Sequence, residues 1–256
     1  MTPAPYRRAG AALATEWIKL RSLRSMLLTP LLSAVAFIVL ADGQARNNGA
    51  NWPHLDAIQK ARFDPLVINF NFVVIGVLLF GVLGALVATN EYGNGLIRTT
   101  LAATPQRGLV LAGLATFALA VVIIFTVFFT GQAILSGAHA PHVSLGDHHV
   151  LLHLLGNVYY LTAAGLIGLF AGVLVRSAAA AIISMFGLLL VLPLLADKIT
   201  PNVVTRHTVP YLPSNLGDEM LHHHTGLSPG VAVTGLAAWV LVLAAAAAYS
   251  LRGRDA

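Results

Sequence analysis

Residues 151–195 read LLHLLGNVYYLTAAGLIGLFAGVLV, then RS, then AAAAIISMFGLLLVLPLL. Two long apolar runs, Leu151–Val175 and Ala178–Leu195, are separated only by Arg176 and Ser177. At a rise of about 1.5 Å per residue, a helix of about 20 apolar residues matches the roughly 30 Å hydrocarbon thickness of a bilayer. These 45 residues therefore predict two membrane spans joined by a very tight break. Four more runs extend the pattern: Met26–Ala41, Leu66–Thr89, Leu109–Ile134 and Val231–Tyr249. The first is the shortest and needs help from its flanks to cross. The chain is expected to be an all-α polytopic membrane protein with six transmembrane helices, forming a single domain over residues 1–256. Composition agrees. Of 256 residues, 57% are apolar and only 10% charged, with a mean hydropathy of +0.79. A soluble domain would carry about 25% charged residues.

The few charges predict the orientation. With the N-terminus in the cytoplasm, Arg7, Arg8, Lys19, Arg21, Arg24, Arg98, Arg107, Arg176, Arg252 and Arg254 lie inside. Only Arg46, Lys60, Arg62, Lys198 and Arg206 lie outside. This two-to-one bias satisfies the positive-inside rule and places both termini in the cytoplasm. The net charge of +5 is then a matter of membrane sidedness and not of nucleic-acid binding. The first 25 residues lack an apolar stretch followed by a cleavage site, so the first span is expected to be retained. With no cysteine in the chain, disulfides, cysteine metal sites and thiol chemistry are excluded.

Two cytoplasmic segments stand out. In Ala11–Arg24, Leu13, Trp17, Leu20 and Arg24 recur at helical spacing among Glu16, Lys19 and Arg21. This predicts an N-terminal amphipathic interface helix, with Trp17 at headgroup depth and the cations toward anionic lipid. Between spans two and three, Asn90–Gly95 has turn composition, and Leu96–Ala103 can form a short helix ended near Pro105. Docking of a soluble partner would explain such a structured loop; a plain surface loop is the alternative.

Inside the spans, polar groups are costly and tend to face a partner or a cavity. Asn69, Asn71, Gln132, Asn157 and Tyr160 are the candidates, either lining a path or bridging helices. Ala164, Gly168 and Gly172, and also Gly84 and Ala88, have the small-xxx-small spacing that lets helices approach closely. Gly76, Gly81 and Gly84 are candidate bending points of span two, and Pro193 removes a donor near the outer end of span five. All ten histidines fall in outer loops or at outer helix ends. His148, His149 and His153 share part of one helix surface and form the weak alternative of a metal site.

The segments EWIKLRSLRS (Glu16–Ser25), FDP (Phe63–Pro65) and NEYGNGLIRTTLAATPQRG (Asn90–Gly108), in this order, resemble the permease subunit of ABC-2 type ABC transporters, especially actinobacterial members. VSLGD (Val143–Asp147), VLVRSAAAA (Val173–Ala181), LLLVLPLL (Leu188–Leu195), YLPSNLG (Tyr211–Gly217) and the LRGRDA tail agree. The resemblance implies an export-type fold in which two permease subunits pack together above two separate ATPase subunits. It implies ATPase coupling through Glu16, Trp17, Lys19, Arg21, Arg24, Glu91, Tyr92, Arg98 and Arg107. It also implies short outer re-entrant helices between spans five and six, within Asp197–Pro229. No P-loop is present, because none of Lys19, Lys60 and Lys198 follows a glycine. ATP and Mg are therefore expected on the partner, and the chain itself is expected to bind no cofactor and to be no enzyme. Drug, antibiotic, peptide and lipid exporters share this layout, so the cargo stays open.

Two rivals remain. A membrane enzyme would use Glu91, or Asp147 with His148, His149 and His153, but no His-Glu-x-x-His signature occurs. A non-exporting ABC-associated sensor or accessory subunit would keep the same fold.

Overall fold

The computed structural model describes residues 24–93, 107–196, 207–222 and 227–253. The predicted interface helix at 11–23 and the predicted loop helix at 96–103 lie outside the described residues. Among those described, regular structure is entirely helical. Five helices are long and apolar enough to cross a membrane.

Helix α1 (Arg24–Asn51) contains the first apolar run and continues well past it. The run ends at Ala41, yet Asp42 and Arg46 keep the helix going with an i, i+4 ion pair at 2.7 Å. Ala34, Phe37, Ala41, Ala45 and Gly49 form its buried stripe. A Cβ added at Gly49 would lie 3.3 Å from the Ala138 methyl, so α1 runs alongside the third span to its far end. A 3₁₀ turn (Trp52–His54) and helix α2 (Ala57–Ala61) follow. Asp56 caps α2 by accepting from the Gln59 N–H at 2.7 Å, while Gln59 accepts from the Asp56 N–H at 3.0 Å. The Trp52 and Phe63 rings meet edge to face at 4.8 Å, and the Lys60 ammonium sits 5.5 Å from the Trp52 ring centre.

The sequence predicts one unbroken second span over Leu66–Thr89. The structure divides it into α3 (Pro65–Asn69), a turn over 70–72, and α4 (Val73–Gly93). Pro65 is pre-set for the first turn, and the Asp64 carboxylate accepts from the Leu66 N–H at 2.8 Å. Hydropathy alone cannot register this interruption, since residues on both sides of it are apolar. At the other end, Asn90, Glu91, Tyr92 and Gly93 belong to α4, so the predicted break at Asn90 starts too early. Residues of turn composition carry on as helix here because the apolar stem has already nucleated it.

Helix α5 (Arg107–Gly137) and helix α6 (His148–Val175) are the third and fourth long helices. Arg176 ends α6 in the left-handed region at φ 60°, its N–H donating to the Gly172 carbonyl at 2.9 Å. This one residue reverses the chain, as the tight break predicts. Span five is a composite of α7 (Ala178–Phe186), a π turn (Gly187–Val191) and α8 (Leu192–Ala196). Pro193 does not end it. Proline lacks an N–H and crowds the carbonyl four residues back, at Leu189. The preceding turn widens, with the Leu192 N–H donating to the Gly187 carbonyl, and the helix passes through.

A 3₁₀ turn (Val209–Tyr211) and helix α9 (Pro213–His222) follow. Helix α10 (Pro229–Gly253) is the last span. Alternation of the long helices puts Arg24, Gly93, Arg107, Arg176 and Gly253 at one end of the bundle, called proximal here. Asn51, Gly137, His148 and Ala196 lie at the distal end, capped by α9.

Helices α4 and α6 form the centre, with 56% and 61% of their membrane windows buried, against 17% for α7–α8 and for α10. Their closeness is a glycine effect. A Cβ at Gly84 would overlap the Gly165 carbonyl oxygen, and one at Gly168 would overlap the Gly81 carbonyl oxygen. At Gly172 it would stand 2.7 Å from the Ala85 oxygen. The small-residue spacing in spans two and four thus marks the tightest interface. The three span-two glycines, candidate bending points in the sequence, lie in a continuous helix and seat three different neighbours. Gly76 lies under the Phe37 ring, Gly81 under Met185 and Leu189, and Gly84 on α6.

Candidate functional site

The proximal end collects the helix termini from which the cytoplasmic segments depart. Glu91 and Tyr92 lie in the last turn of α4, Arg107 opens α5, and Arg24 opens α1. Glu16, Trp17, Lys19, Arg21 and Arg98 lie outside the described residues. The α4–α5 connection leaves and re-enters the bundle at the end where α1 begins.

The distal end carries most of the internal polar chemistry. The five polar candidates do not form one group. Tyr160, only 4% exposed, donates its hydroxyl to the Ser214 carbonyl at 3.2 Å, joining α6 to α9. Its ring fills the place where a Gly217 side chain would be. Gln132 stitches α5 to the following loop by accepting from the Val143 N–H at 3.1 Å. Asn157 is fully buried, but its amide donates within its own helix to the His153 carbonyl at 2.9 Å. Asn69 is 1% exposed, and among the described residues neither of its amide atoms has a hydrogen-bond partner. Asn71 is exposed in the turn before α4. Among the described residues, Tyr160 and Gln132 are therefore the two of these five that bond across elements.

Several contacts at the distal end have partners that no local sequence pattern reveals. The Trp239 indole donates to the Tyr211 carbonyl at 2.9 Å, and the Tyr159 hydroxyl donates to the Val233 carbonyl at 2.8 Å. Leu216, buried completely, presses on Gly235 of α10, whose added Cβ would meet it at 2.8 Å. Glu219 is 1% exposed on the same short helix. Helix α9 is amphipathic, so its apolar side and its glycine were visible signals. The acceptors of these bonds are backbone carbonyls far away in sequence, which no local pattern reveals.

His148 and His149 are exposed at the start of α6, while the His153 ring lies 5.9 Å from that of Phe70. Among the described residues, no group of three or more His, Asp or Glu is placed to hold a metal ion. Among the described residues, the arrangement is an apolar bundle whose cross-element polar bonds gather at the distal end.

Such a bundle defines a multi-pass helical membrane protein with a closely packed central helix pair. Residues 12–195 match the family model for ABC-2 family transporter proteins. This is well over half of the chain, and the chain belongs to that family. It is an ABC-2 type permease component of an ABC transporter, a family whose members work with partner ATPase subunits. Membership is consistent with a non-catalytic subunit. The match is to the family as a whole and carries no actinobacterial restriction. No curated protein and no solved structure matches the chain.

Proposed function

We propose that the chain is the permease subunit of an ATP-driven exporter in a bacterial cell membrane. In this reading α1 is a sixth span, both termini are cytoplasmic, and the proximal end faces the ATPase. Helix α9 (Pro213–His222) is read as a short re-entrant helix on the outer side, and a second permease copy or homologue completes the translocation path. The observation that carries it is the family match over residues 12–195 in a chain with no glycine-lysine pair for a P-loop. In this reading energy enters from a separate polypeptide through cytoplasmic segments.

Glu91 and Tyr92 with Arg98 and Arg107, and Glu16, Trp17, Lys19, Arg21 and Arg24 at the front, are assigned that coupling role. The assignment is supported by the termini of α4, α5 and α1, which share one end of the bundle. ATP closes the ATPase pair, the cytoplasmic segments pass this motion to α1 and α4, and the paired permeases switch their path outward. Because α4 is fused to α6 through glycine contacts, the two are expected to move as one unit.

The test is Glu91→Ala in the complex purified with its ATPase in lipid. Assembly is expected to survive while permease-dependent ATPase stimulation and export fall. Unchanged ATPase activity and export would remove Glu91 from the coupling path. An intact complex that never exports, whatever the cargo, would favour the accessory-subunit reading.

A further inference from the structure

We propose that helix α3 is a bistable latch at the distal end of the bundle, held by its apolar residues and loosened by Asn69. Its seat has two opposing parts. Leu66, at 5% exposure, and Phe70, at 2%, are buried in the main core, and the Phe70 ring lies 5.9 Å from that of His153 on α6. Asn69, on the same short helix, points at α5. A Cβ added to Gly131 would overlap its Oδ1 and stand 2.7 Å from its Cγ, so the amide rests on the bare backbone of that glycine.

Both amide atoms are buried there without a hydrogen-bond partner among the described residues. A buried amide normally has partners, because losing its water without replacement is unfavourable. Gly131 offers space but no side-chain partner. Seating α3 therefore gains apolar burial at Leu66 and Phe70 and loses the solvation of Asn69, whereas lifting α3 from α5 reverses both.

Three features allow α3 to move as a unit. It has only five residues, it is capped from its own side by Asp64, and a turn over 70–72 separates it from α4. It can lift without unwinding a long helix. The lifted state opens the space between α1, α5 and α6 toward the distal end. This latch concerns the resting subunit and stands or falls independently of cargo, ATPase or orientation.

The chain contains no cysteine, so single-cysteine variants report cleanly. Leu66→Cys, purified in lipid nanodiscs without ATPase, is reacted with a polar maleimide; Val150→Cys, fully buried at the same end on α6, is the control. The Leu66→Cys thiol is expected to react measurably. Adding Gly131→Ala, which crowds the amide, should raise its rate by about tenfold, and adding Asn69→Leu, which removes the amide, should lower it at least roughly fivefold. The control should respond to neither change. If Gly131→Ala does not fold, the Asn69→Leu arm decides alone. A Leu66→Cys thiol that never reacts, a rate that Asn69→Leu leaves unchanged, or a control that changes in parallel would each overturn the latch.

Discussion

Replacing Gly168 with alanine puts a methyl group where the backbone of α4 already is. The new Cβ would overlap the Gly81 carbonyl oxygen and stand 2.7 Å from its carbon and 3.0 Å from the Gly81 Cα. No rotamer change relieves this, since every atom met is main chain. Because the oxygen is the nearest atom, restoring an ordinary contact of about 3.5 Å requires α4 and α6 to separate locally by roughly 1.5 Å. An opening of that size forfeits more than about half of each dispersion contact across the interface. Overpacking of this kind costs about 1–3 kcal/mol, and the upper end applies because the obstacle cannot rotate away. Gly187→Ala is the matched control. It too lies in a helical run, but a Cβ there meets nothing within 4 Å, so the change should stabilise by about 0.5–1 kcal/mol. At roughly 2–4 °C per kcal/mol, the two variants should melt several degrees apart in detergent. The assay is size-exclusion recovery of purified protein after heating at one scan rate. If Gly168→Ala and Gly187→Ala melt together, the close α4–α6 contact does not hold the bundle.

Other consequences are equally direct. Tyr160→Phe deletes the hydroxyl bond to the Ser214 carbonyl and should cost about 1 kcal/mol; faster proteolysis within α9, with the long helices intact, is the expected readout. Asp64→Ala removes the side-chain cap of α3 and should cost about 0.5–2 kcal/mol, whereas Asp64→Asn or Asp64→Ser should restore most of it. Ile58, exposed at 67%, lies on the distal excursion. Ile58→Cys should react in intact cells with a membrane-impermeant maleimide; reaction only after lysis would invert the proposed orientation.

How much was readable in advance differs between span positions and span interiors. Arg176 and Ser177 mark a true reversal, because two polar residues between long apolar runs leave no other place to turn. Span two was less legible: FNF reads as apolar continuity, yet Phe70 caps α3 and the helix restarts at Val73. Pro193 does remove a donor near the outer end of span five, but the widened turn at Gly187–Val191 that accommodates it is visible only in the structure. Among the polar candidates, residue type singled out Asn69, Gln132, Asn157 and Tyr160 alike. Only folding separated a cross-helix bond at Tyr160 from a bond within one helix at Asn157 and a stranded amide at Asn69.

The sequence by itself determined that this is a helical membrane protein, roughly where its spans lie, and that small residues line spans two and four. These properties follow from transfer free energies and covalent chemistry, which depend on residue identity and short-range order. The tertiary structure decided which glycine meets which backbone, that α4 and α6 are the central pair, that Trp239 and Tyr160 hold the distal cap, and that Asn69 has no hydrogen-bond partner among the described residues. Those depend on distances between atoms far apart along the chain, and no window of sequence contains them.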